Sequence, residues 1–218
     1  MLTNNIKFKN FQIQKKLYTN KILRFLLKEN NQVINSLRKN YKDSFNKKKL
    51  IYFQKKLDYR IIGMGGSTLG SQAIYDFLKK KIKKNFIFID NLNINISKKI
   101  KKNYNNLIIS KSGNTIETIV NANILIKKKD KNLFITEKKQ SYLSLLAKKL
   151  KAEVIDHNNY IGGRYSVLSE VGMLPAELMG LNYKNFRQLN NLVKNKFFIK
   201  ALISNVEATI YFLKSKKF

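Results

Sequence analysis

The chain contains no cysteine and no tryptophan, and it has one proline and one histidine in 218 residues. Without cysteine there is no disulfide framework and no thiolate metal site. No apolar run approaches the roughly 18 residues that a membrane span requires. The opening "MLTNNIKFKNFQIQ" lacks the compact apolar segment and small-residue cleavage site of a secretory signal. No linker marked by proline or serine and no internal repeat is visible. Arginine is scarce as well, which matters because the formal net charge is +31. These absences favour a soluble, cytoplasmic protein with no membrane partner.

Hydrophobic residues make up 44% of the chain, enough to build a core and to argue against global disorder. The charge invites a nucleic-acid reading, because lysine and arginine neutralise phosphates and release counterions. However, nearly all of it is lysine, spread along the whole chain. Arginine is the base reader whose planar fork grips guanine. The excess of Lys, Asn, Ile, Phe and Tyr, all with AT-rich codons, reads instead as compositional drift, and no nucleic-acid partner is expected.

Periodicity divides the chain. Residues 19–42, "TNKILRFLLKENNQVINSLRKNYK", place apolar side chains at helical spacing behind a Thr/Asn cap. From Tyr59 onward, strand-length runs rich in Ile, Val and Phe recur: "YRIIG", "NFIFID", "NLIIS", "NLFITE" and "AEVID". Amphipathic stretches lie between them. Strand alternating with helix predicts an α/β fold, a parallel sheet with helices on both faces. After Ser166 the pattern is helical to the end. The expected organisation is a helical N-terminal extension over 1–50, a sheet domain over 51–160, and a turn with trailing helices over 161–218.

Three stretches carry the chemistry. In "GMGGSTLG", residues 63–70, a chain with nine glycines spends four of them in eight positions. At a strand-to-helix junction, glycines let backbone N–H groups approach an anion, and the helix N-terminus adds its dipole. Gly66 and Ser67 are the candidates there. The stretch is neither the dinucleotide fingerprint nor a P-loop, and a tight turn explains it as well. In "NLIISKSGNTIET", Ser110, Lys111, Ser112 and Thr115 gather three hydroxyls and an ammonium at one strand end. That donor set suits a phosphate. Glu117 falls in the first turn of the next helix, where a carboxylate stabilises the dipole. In "IGGRYSVLSEVGMLPAELMG", residues 161–180, two glycines precede Arg164, whose fixed guanidinium suits an anionic intermediate or a phosphate. His157 reads as a loop residue.

Taken together, in this order and spacing, the three stretches resemble the glucose-6-phosphate isomerase family. The first two also resemble the wider sugar-isomerase (SIS, flavodoxin-like) fold, and the third is more specific to the isomerase. The resemblance covers Asp58 to Gly180. It implies interconversion of glucose 6-phosphate and fructose 6-phosphate through an enediolate, with no metal or organic cofactor. It implies phosphate binding by Gly66, Ser67, Ser110, Lys111, Ser112 and Thr115, an enediolate steadied by Arg164, and a homodimer for the full-length protein. Two departures stand out: Glu170 occupies a position usually held by a small residue, and "SGNT" replaces a commoner "TFTT". The family's base lies in a motif like "ESNGK" and its ring-opening histidine in one like "GTNGQH", and neither occurs here. The expectation is an N-terminal part of such an enzyme, without its base. A stand-alone phosphosugar-binding module is the alternative, and a basic nucleic-acid-binding protein the remote one.

Overall fold

A computed structural model describes residues 17–55, 57–92 and 103–215. It divides into two compact units. The described parts of Met1–Tyr41 and Arg187–Phe218 form one, and Lys42–Phe186 forms the other.

The first unit is helical. The periodic stretch 19–42 is two helices rather than one: α1 (Leu17–Lys28) and α2 (Gln32–Ser36). The break has a local cause. Asn31 is an N-cap whose side chain accepts from Val33 N at 2.9 Å and Ile34 N at 3.2 Å, so the chain restarts there instead of continuing.

The second unit carries the sheet. Its described elements are α3 (Lys47–Gln54), β1 (Asp58–Ile62), a 3-10 turn (Gly65–Ser67), α4 (Leu69–Leu78) with a 3-10 turn after it (Lys79–Lys81), β2 (Asn85–Ile89), β3 (Asn105–Ile109), α5 (Ile116–Leu125), β4 (Lys131–Thr136), α6 (Tyr142–Leu150), β5 (Glu153–Asp156), a 3-10 segment (Gly163–Leu168), α7 (Glu170–Leu178) and a last 3-10 turn (Tyr183–Phe186). In the first unit, α8 (Leu189–Lys194) and α9 (Lys196–Lys214) follow, with the Asn195 side chain accepting from Phe197 N and Phe198 N.

The five strands among the described residues are all parallel, in the order β2-β1-β3-β4-β5. β1, β3 and β4 are central and buried on both faces, which is why their apolar residues follow one another without alternation at Ile61–Ile62, Leu107–Ile109 and Leu133–Ile135. Alternate residues feed two cores. Tyr59, Ile61, Leu107, Ile109, Leu133 and Ile135 pack with Met173, Leu174 and Ala176 of α7. On the opposite face, Ile62, Ile108 and Phe134 pack with Ala122, Leu125, Leu143 and Ala147 of α5 and α6. Burying so many large side chains, at about 1.5–3 kcal/mol each, is the main favourable term for this unit. The chain runs from β1 to β2 on one side and then crosses to β3 on the other. The carboxyl ends of β1 and β3 therefore flank a topological switch point, the place where ligands bind in open α/β sheets. No helix among the described residues is long and apolar enough to cross a membrane.

Candidate functional site

The loop after β1 is shaped by close approach. A methyl carbon on Gly63 would lie 2.8 Å from the Ile109 carbonyl oxygen of the neighbouring strand. Gly65 adopts φ +52°, a left-handed conformation that favours glycine. Ser67 N then donates to Met64 O at 3.1 Å and Thr68 N to Gly65 O at 3.0 Å, closing the 3-10 turn that leads into α4. Gly66 and Ser67 are half-buried at this junction.

The loop after β3 is organised by its own hydroxyls. Ser110 is 1% exposed, and its Oγ lies 2.9 Å from Thr115 Oγ1 while accepting from Gly113 N at 3.2 Å. Ser112 Oγ accepts from Asn114 N at 3.2 Å and is 3.5 Å from Thr115 Oγ1. Gly113 has φ +68°, and any side chain there would collide with Ser141 at the start of α6. Thr115 is the N-cap of α5 but makes no side-chain cap bond, since its hydroxyl is turned to Ser110 and Ser112. The first N–H groups of an α-helix have no intrahelical partner. Donors, a hydroxyl cluster and the positive end of α5 thus coincide at one place. Glu117 sits in the first turn of α5, as the sequence suggests.

Lys111 is drawn to the other side of this loop. Its Nζ donates to Asn159 O at 2.7 Å and lies 3.6 Å from Glu137 Oε1. Glu137 is also paired with Lys139 at 2.6 Å. The hydrogen bond from Lys139 holds the Glu137 carboxyl below the usual carboxylate range, with burial opposing it. Lys111 is thus already partnered.

The third stretch docks on the first. A methyl carbon on Gly66 would lie 2.1 Å from the Gly163 carbonyl oxygen, and Ser166 Oγ is within 3.3 Å of Gly66 O and 2.7 Å of Gly163 O. Gly70 meets Val167 in the same way, and Gly172 meets the Val167 carbonyl. These contacts seat the segment 163–168 against the β1 loop, with Arg164 exposed upon it.

The structure therefore brings Gly66, Ser67, Ser110, Ser112 and Thr115 to the carboxyl edge of two paired strands. Arg164 stands on a segment fastened to the same edge, and Lys111 leans toward the β4 and β5 side. His157 does lie in a loop, directly after β5, but it is 2% exposed. Its backbone N donates to Thr136 O at 2.9 Å, and its Nδ1 lies 3.1 Å from Asn158 O. Burial pushes the imidazole below its ordinary range, while the Asn158 carbonyl and the Glu170 carboxylate pull the other way. Sequence reasoning missed the parts played by Glu137, Asn159 and Gly163. All three act through contacts distant in sequence, and only the paired glycines before Arg164 hint at one of them.

Residues 31–214 match the family model described as phosphoglucose isomerase. Two relatives named glucose-6-phosphate isomerase illustrate the similarity. That of Methanocaldococcus jannaschii is 35% identical over 170 residues, which cover 69% of this chain and 41% of the relative. That of Acholeplasma laidlawii is 35% identical over 173 residues, covering 65% of this chain and 40% of the relative. The chain spans about two fifths of the length of these relatives. Among solved structures, a hypothetical protein of Thermus thermophilus superposes with a TM-score of 0.65 at 18% identity, covering 86% of this chain and 50% of the other. A tagatose-6-phosphate ketose/aldose isomerase of Escherichia coli superposes with a TM-score of 0.51 at 16% identity, covering 83% and 53%. At these identities the likeness shows the fold alone.

Proposed function

The chain belongs to the phosphoglucose isomerase family, and from this premise we propose that it supplies the sugar-phosphate-binding part of an enzyme interconverting glucose 6-phosphate and fructose 6-phosphate. One observation carries the reading: the loops after β1 and β3 lie side by side at the switch point of the sheet, with the hydroxyls of Ser110, Ser112 and Thr115 gathered at a helix N-terminus. In this reading Ser67, Ser112 and Thr115 donate to the phosphate and Gly66 lets the backbone approach it. Ser110 orients Thr115 from behind. Lys111 adds positive charge at the rim. The binding domain in this reading is 51–160, which lies within the compact unit Lys42–Phe186 together with the arginine turn.

Arg164 has the chemistry to hold the negative charge that develops on two adjacent sugar oxygens as a proton moves between their carbons. That proton needs a base. Glu170 accepts from Ser44 and Asn158, Glu177 pairs with Lys47 at 2.9 Å, and Glu137 pairs with Lys139 and Lys111. Each of these carboxylates has structural employment. The reading therefore assigns the base, and the group that opens the ring, to sequence outside these 218 residues, in a protein that works as a homodimer. The same employment of the carboxylates favours a second reading, a phosphosugar-binding module without turnover.

A coupled assay of fructose 6-phosphate formation separates the two. The enzyme reading expects no turnover from the 218-residue chain and saturable turnover once it is joined to the remaining part of a related isomerase. A joined protein that binds fructose 6-phosphate and stays inactive supports the module.

A further inference from the structure

Glu170 is a fully buried carboxylate at the first position of α7, six residues after Arg164. A buried charge is costly unless hydrogen bonds satisfy it. Here Oε1 accepts from Ser44 N at 2.9 Å, Ser44 Oγ at 3.0 Å and Asn158 Nδ2 at 3.1 Å. Its place in the first turn of α7 adds the favourable end of the helix dipole. The donors come from two segments far apart in sequence: the stretch before α3, and the turn after β5.

That turn is closed by its own backbone hydrogen bond. Ile161 N donates to Asn158 O at 3.1 Å, closing residues 158–161, and Ile161 is 1% exposed. One residue along from the Asn158 side chain that Glu170 holds, the Asn159 carbonyl accepts from Lys111 Nζ at 2.7 Å. The chain of contact runs from Glu170 to Asn158, through the turn, to Asn159 and Lys111. Beyond the turn lie Gly162, Gly163 and Arg164.

We infer that Glu170 is a positioning residue: by gripping the 158–161 turn it sets where the Lys111 ammonium stands at the rim of the candidate site. The assignment of that ammonium to a sugar phosphate rests on the proposed function, but the mechanical link does not.

Lys111 reactivity tests the link without a ligand. The folded chain is acetylated briefly with an N-hydroxysuccinimide acetate ester, and modification at Lys111 is read by peptide mass spectrometry against the exposed Lys80. Glu170→Ala should raise the Lys111 rate about fivefold, the factor carried by one net hydrogen bond. Glu170→Gln keeps an oxygen for Ser44 and Asn158 and should stay near the parent rate. Asn158→Ala breaks the same connection where Glu170 is untouched, and should raise the rate even where Glu170→Ala does not fold. Leu125→Ala, which loosens the opposite core, is the stability control. An unchanged rate in Asn158→Ala, or an equal rise in Leu125→Ala, overturns the inference. A second arm measures fructose 6-phosphate affinity in Glu170→Ala, Lys111→Met and the double variant. Losses that fail to add place the two residues in one unit, and additive losses contradict it. If the parent chain binds no sugar phosphate while Lys111 reactivity responds as expected, the functional reading falls and the positioning role stands.

Discussion

Removing the Ser110 and Thr115 hydroxyls together should weaken fructose 6-phosphate binding by about 2 kcal/mol, roughly thirtyfold in Kd. The two losses should have different origins. Ser110 is buried and its Oγ serves Gly113 N and Thr115 Oγ1. Gly113 N also donates to Ser110 O at 3.2 Å, so Ser110→Ala leaves that N–H a partner. Its cost should be about 1 kcal/mol of stability and little affinity. Thr115 is half-buried, at the positive end of α5, with a hydroxyl that caps nothing. A bond from it to an anionic oxygen is charge-assisted and stronger than a neutral one, about 1.5–3 kcal/mol. Thr115→Ala should therefore carry most of the affinity loss with a small change in Tm. Calorimetric titration and thermal unfolding of both single variants and the pair measure each part. Unchanged Kd in the double variant would place the ligand elsewhere. Loss of affinity confined to Ser110→Ala would invert the roles assigned here.

Gly66→Ala should cost about 1–3 kcal/mol and loosen the 163–168 segment, because the added carbon would lie 2.1 Å from the Gly163 carbonyl oxygen; an unaltered Tm contradicts that packing. In the joined enzyme, Arg164→Lys should lower kcat by about tenfold or more with little change in KM, since the guanidinium is needed as charge develops; a raised KM with kcat preserved would make Arg164 a ground-state anchor. His157 is buried with its affinity for a proton lowered. The unfolded chain then binds that proton more readily than the folded one, so this contribution to stability is fully present above the ordinary histidine range and is lost as pH falls below about 6.5. The drop in Tm between pH 7.5 and 5 should be smaller in His157→Gln; an identical drop removes His157 as its source.

The five described strands are legible in the sequence because β1, β3 and β4 are buried on both faces, β2 alternates Phe with Ile, and β5 carries a Val-Ile pair. The hydroxyls of Ser110, Ser112 and Thr115 are legible because they are local, within the six residues that join β3 to α5. The break at Asn31 is hidden by helical periodicity on both sides of it, and only the cap geometry reveals it. Gly66 reads as a turn glycine, yet its tightest constraint is a backbone 97 positions away. His157 reads as a loop residue and Glu170 as a departure at a small-residue position; that both are buried depends on partners such as Ser44 and Thr136 that no local pattern announces.

Calorimetric titration of the 218-residue chain with fructose 6-phosphate, fructose and inorganic phosphate tests the sugar-phosphate cradle most directly. The account predicts saturable binding of fructose 6-phosphate, weaker binding of phosphate, none of fructose, and loss of the fructose 6-phosphate signal in Thr115→Ala with Gly66→Ala. Equal affinity for fructose and its phosphate, or binding indifferent to those two substitutions, would contradict it.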